Sequence, residues 1–172
     1  MNKYEEIHAM LKRHGISVKF LKRALREIQA NSLGRIAAEK SKAAFNTISE
    51  PVLVEDDGLF IHALKGFPGP YSSFVFKSIG NNGILKLLSD SKKREAYFLS
   101  SVVYNDGTEL KPFFGKTEGK ISLQPSGSGW GYDPIFVPRN CDLTFGESRT
   151  VKMRYSHRAK AISSFVNWYL RI

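Results

Sequence analysis

Cysteine is almost missing from this chain: Cys141 is the only one in 172 residues. No disulfide can form within it and no thiolate zinc cluster can be built. The four histidines, His8, His14, His62 and His157, are scattered without metal-ligand spacing, which argues against transition-metal chemistry. Long apolar runs are lacking too, and the opening MNKYEEIHAM carries no hydrophobic core of the signal-peptide kind. Neither a membrane span nor a secretory leader is expected, and the cytoplasm is the default location. There are no internal repeats and no linker, so one domain over residues 1–172 is expected, long enough to bury a real core.

What is present is the composition of a globular chain, 42% hydrophobic, 12% aromatic and 24% charged, which excludes disorder. Lys and Arg outnumber Asp and Glu by 26 to 16, a net charge of +10. That balance favours anionic partners, polyphosphates or nucleic acid, although dispersed basic charge also describes an ordinary solvated surface.

Tyr4, Ile7, Met10 and Leu11 recur at helical spacing over residues 2–14, with Asn2 placed to cap. ISVKF (16–20) reads as a short strand and residues 33–49 as an Ala-rich helix ended by Pro51. VLVE reads as a buried strand that stops at an acidic turn, after which GLFIHAL continues extended. A Gly/Pro loop, GFPGPYSS, leads to helical segments near 72–78 and 82–89. Residues 94–123 read as strand, turn, strand, strand, with Asn105-Asp106-Gly107 as the tight turn. QPSGSGWGYDP (124–134) is a glycine-rich loop. In the closing helix Ala161, Phe165 and Trp168 share a face, and Ser156 is placed to cap it. Strands and helices in this order predict an α/β (mixed α+β) fold whose sheet carries parallel and antiparallel pairs.

Three stretches could carry chemistry. Glu55, Asp56 and Asp57 set three like charges in succession, which chains tolerate where a cation or proton shares the site. Magnesium is suited to that, since it takes one or two carboxylates and keeps waters and phosphate oxygens; the alternative is an exposed acidic turn. Trp130 and Tyr132 stand among flexible glycines with Asp133 following, a loop able to close over a planar base or simply to plug the core. Lys152, Arg154, His157, Arg158 and Lys160 cluster where the last helix begins, which suits an anion or a keto oxygen; a basic surface helix end is the alternative. Cations at a helix N-terminus oppose the macrodipole, so the cluster calls for an anionic partner. A metal-bearing acidic turn, a stacking loop and a cationic clamp together suit a nucleoside triphosphate.

PVLVEDDGLFIHALKGFPGPYSS, GWGYDPIF and SHRAKA, in this order and separation, closely resemble the inosine/xanthosine triphosphate pyrophosphatases, the Ham1-like house-cleaning enzymes. The likeness runs from Lys3 to the final helix. It implies a magnesium-dependent enzyme that hydrolyses ITP, dITP and XTP to the monophosphate and pyrophosphate. It further implies an elongated central mixed sheet flanked by helices, two lobes with a substrate cleft, and a homodimer with no stable nucleic-acid partner. By the same resemblance Asp56 matches the general base, and Glu27 with Asp56 the magnesium ligands. Asp57 falls at a substrate contact, and Lys3 and Lys40 lie near the phosphates. Trp130, Gly131, Tyr132 and Asp133 match the loop that receives the nucleoside, Lys152 lies under the base, and His157 with Arg158 reads its keto edge. The family more often has Phe at the position of Trp130. It also opens with an apolar strand and a Thr-x-Asn-x-x-Lys loop, of which only Lys3 is matched, so a start upstream of Met1 is expected. Two other readings compete: a basic nucleic-acid-binding protein, and a catalytically weakened nucleotide-binding paralogue.

Overall fold

The computed structural model describes residues 3–23, 25 and 28–171. Asn2 and Glu27, the expected cap and metal ligand, lie outside the described residues. Five helices and five strands are described: α1 (Lys3–Lys12), α2 (Leu33–Ile48), β1 (Val52–Ile61), β2 (Pro68–Gly69), α3 (Ser72–Leu87), β3 (Glu95–Asn105), β4 (Leu110–Ile121), β5 (Phe136–Pro138), α4 (Arg149–Tyr155) and α5 (His157–Tyr169). The strands form one sheet in the order β2-β1-β3-β4-β5, so the chain has the expected α/β composition. β1 with β2 and β4 with β5 are antiparallel. Along β1 from Glu55 to Phe60 the β3 partners fall from Ser100 to Tyr97, so that pair is antiparallel as well. The described pairs therefore run antiparallel where the sequence order also suggested parallel ones.

Local chemistry explains most element ends. Ser32 Oγ accepts from Arg35 N at the start of α2, and Ser49, in the left-handed region, closes it two residues before Pro51. Asn105 Oδ1 accepts from Gly107 N, and Asp106 Oδ1 from the backbone N–H groups of Thr108 and Glu109, so the β3–β4 turn is built by its own side chains. Gly80 (φ 61°, ψ −165°) breaks α3 into the two helical halves that the sequence predicts. A Cβ on Gly58 would sit 2.3 Å from Gly69 O, so glycine is what allows β2 to lie against β1.

Four expectations fail. ISVKF is not a strand: Ile16 N donates to Leu11 O behind α1, and Phe20 is exposed; among the described residues no ladder partner claims the segment. The acidic triplet is not a turn, because β1 runs unbroken through it; a helical turn, His62–Leu64, follows where extended chain was expected. β4 is one strand rather than two. Lys152 and Arg154 stand in the last turn of α4, where cations suit the helix C-terminal dipole, and His157, Arg158 and Lys160 are left in the first turn of α5.

The chain divides into two compact units, each drawn from separate stretches: residues 1–56, 100–115 and 158–172, and residues 57–99 and 116–157. In the first, Ala161, Ile162, Phe165 and Val166 of α5 are buried with Leu11, Val102, Tyr104 and Phe113, each large apolar side chain contributing roughly 1.5–3 kcal/mol. In the second, Leu59, Ile61, Ile84, Phe98, Ile135 and Phe136 form the centre of the core. No helix of the described residues is long and apolar enough to cross a membrane.

Candidate active site

Side chains alternate across a strand, so an unbroken β1 sends Glu55 and Asp57 to one face and Asp56 to the other. This resolves the repulsion in the triplet. The two acids of the shared face are each engaged by a cation or histidine. Glu55 Oε1 accepts from Arg158 Nε at 3.2 Å and from Ser100 Oγ at 2.8 Å, and Lys3 Nζ lies 3.3 Å from Oε2. Arg158 also donates through Nη1 to Glu6 of α1. With its side chain 1% exposed, Arg158 is a buried cation between two carboxylates, and that pairing is what makes its burial tolerable. Asp57 Oδ2 lies 3.3 Å from His157 Nε2. The His157 ring is stacked on Phe98, centroids 4.6 Å apart and planes 9° off parallel.

Asp56 is partly buried on the opposite face of the strand. Lys40, also partly buried, is carried by α2.

The glycine-rich loop holds a second group. Lys152 Nζ donates to Asp133 Oδ2 at 2.8 Å, Trp130 N reaches the same oxygen at 3.3 Å, and the ammonium lies 5.4 Å from the centre of the Trp130 ring. Asp133 and Lys152 are nearly buried, whereas Trp130 is 40% exposed. Trp130 thus presents ring surface to solvent while its backbone and one face are fixed, which is what a stacking platform requires. Tyr132 is placed differently from Trp130: its ring meets Phe76 edge-on in the core and its hydroxyl donates to Ser72 O at 2.9 Å. Burial pushes its phenol above the ordinary range, so it stays a neutral donor and anchors the loop. Gly131 (φ 63°) needs the left-handed backbone that glycine supplies most readily.

The structure therefore brings Lys3 and Arg158 together around Glu55, His157 to Asp57, and Trp130, Asp133 and Lys152 to one another. Sequence reasoning missed Glu6, Ser100 and Phe98. Phe98 and Ser100 fall on one face of β3 only once its burial is seen; their residue types alone do not mark them.

Residues 1–168 match the Ham1 family. The chain belongs to that family. It is 45% identical over 172 residues to the dITP/XTP pyrophosphatase of Methanopyrus kandleri, covering 98% of this chain and 92% of that protein. It is 46% identical to the enzyme of the same name from Thermococcus kodakarensis, covering 96% and 91%. Among solved structures, a HAM1 protein from Coxiella burnetii superposes with a TM-score of 0.85 at 25% identity, covering 100% of this chain and 96% of that one. The Staphylococcus aureus Ham1 protein gives 0.79 at 29% identity, covering 86% and 81%.

The acids of the described site are largely spoken for. Glu55 and Asp57 are committed to Arg158 and His157, and among the described residues no three His, Cys, Asp or Glu side chains gather into a ligand cage.

Proposed function

We propose that this chain hydrolyses the non-standard purine nucleoside triphosphates dITP, ITP and XTP to the monophosphate and pyrophosphate, keeping the nucleotide pool clean. The observation that carries this reading is its near full-length similarity to proteins named dITP/XTP pyrophosphatase. Asp56 is the general base that takes the proton of the attacking water, with the phosphate chain met by Lys3 and Lys40. Asp57 fixes His157, and His157 and Arg158 face the keto edge of the base. Trp130 stacks on the base, and Lys152, held by Asp133, lies beneath it.

Discrimination follows from donors and acceptors. Hypoxanthine and xanthine present an oxygen at position 6, whereas adenine presents an amino donor that would confront donors. A site built on such hydrogen bonds rejects the wrong partner by up to roughly 10⁴-fold.

Asp56 and Glu27 would hold magnesium, which when bound supplies charge screening for the phosphate oxygens. The working form is a homodimer in the cytoplasm; the exposed aromatic surface of Phe67, Tyr71 and Phe74 is of the kind that self-association covers. Pyrophosphate release from ITP, XTP and dITP, against ATP and with EDTA or magnesium present, tests the reading. Magnesium-dependent release from the first three and little from ATP is expected; equal release from ATP contradicts it. Binding to DNA or RNA that falls steeply with salt, with no hydrolysis, would favour the nucleic-acid reading instead.

A further inference from the structure

Asn81 lies directly after the Gly80 break in α3, and its Nδ2 donates to Gly131 O at 3.1 Å, fifty residues along the chain. A carbonyl can only accept, so this contact fixes which end of the amide faces Gly131. The other end, Oδ1, is buried and makes no hydrogen bond to any of the described residues. An unsatisfied buried acceptor is costly, and a leucine of similar size would fill the space without that cost. A chain that keeps asparagine there is keeping the donor.

The donor acts on the peptide beside Trp130. A Cβ built on Gly131 would meet nothing within 4 Å, and its left-handed backbone is one that glycine adopts readily. Contacts from α3 converge on this part of the loop. α3 provides these from both of its halves: Ser72 O accepts from the Tyr132 hydroxyl and Phe76 meets the Tyr132 ring, while Asn81 takes the Gly131 carbonyl.

We propose that Asn81 is a positioning residue for nucleotide binding, holding the Gly131 peptide so that Trp130 stands ready to stack before the base arrives. The role rests on the base-receiving function proposed for that loop. Pre-organising a loop lowers the ordering cost of binding and leaves the chemical step untouched.

Asn81→Leu tests this in a Trp168→Phe background, where Trp130 is the only tryptophan. KM for ITP should rise about tenfold with kcat within about twofold, acrylamide should quench Trp130 more strongly, and the melting temperature should hold or rise as the unsatisfied acceptor disappears. Asn81→Asp, which keeps the shape but offers an acceptor to a carbonyl, should loosen Trp130 likewise. A fall in melting temperature with unchanged Trp130 quenching would overturn the proposal and leave Asn81 a packing residue. So would unchanged KM and quenching in both variants. If the wild type hydrolyses none of these nucleotides, the functional reading fails, while quenching in the free protein still decides whether Asn81 holds the loop.

Discussion

Arg158 in the first unit and Lys152 in the second are both cations drawn out of water, but their surroundings differ. Arg158 meets Glu6 and Glu55, and Glu55 is braced in turn by Ser100 and Lys3. Lys152 meets the carboxylate of Asp133, and beside it is an indole ring 40% exposed. One cation is shared between two acids of its own chain; the other sits beside an indole that is open to solvent. The first arrangement ties α1, β1 and α5 together. The second keeps a charge and a ring ready at modest cost in stability.

That contrast can be broken most forcefully at Arg158. Arg158→Met removes the cation that Glu6 and Glu55 share, and urea unfolding should show a loss of about 3–5 kcal/mol. A loss below about 1 kcal/mol would mean the network is not structural. Trp130→Ala reverses the expectation: substrate affinity should drop by the equivalent of roughly 1–3 kcal/mol, while stability moves by less than about 0.5 kcal/mol. Lys152→Met should come between the two kinds of behaviour, costing about 1–2 kcal/mol of stability through the stranded Asp133 and raising KM for ITP in steady-state assays. The smallest effect is expected in the β3–β4 turn. Hydrogen bonds from the backbone of Glu109 and Thr108 lower the pKa of Asp106. Its stabilising contribution is present above the unfolded value, about 3.9, and is lost as pH falls through the lowered folded value. The melting temperature of Asp106→Ala should therefore trail wild type at neutral pH and converge with it below about pH 4.

Features written in neighbouring residues were legible beforehand. Ser32 and Pro51 bracket α2, Asn105-Asp106-Gly107 makes its turn, and Gly80 separates two helical halves. The acidic triplet was not, because what lets it stay extended is remote: Arg158 is 103 residues from Glu55 and His157 is 100 from Asp57. Without those partners, three acids in a row read as a turn. The same distance hid Asn81, whose only described hydrogen bond spans 50 residues. The site motifs themselves were readable, but not the division of labour within them: Tyr132 anchors the loop in the core while Trp130 meets solvent, and neither sequence spacing nor resemblance separates the two.

The central claim is that β1 divides its three acids, giving Glu55 to the fold and Asp56 to chemistry. Pyrophosphate release from ITP by Asp56→Asn and Glu55→Gln, each expressed per folded molecule, tests it most directly. Asp56→Asn should lose about 10²–10⁴-fold in kcat with wild-type stability, while Glu55→Gln should unfold more easily yet turn over within about threefold of wild type. Turnover surviving in Asp56→Asn and vanishing from folded Glu55→Gln would contradict the assignment.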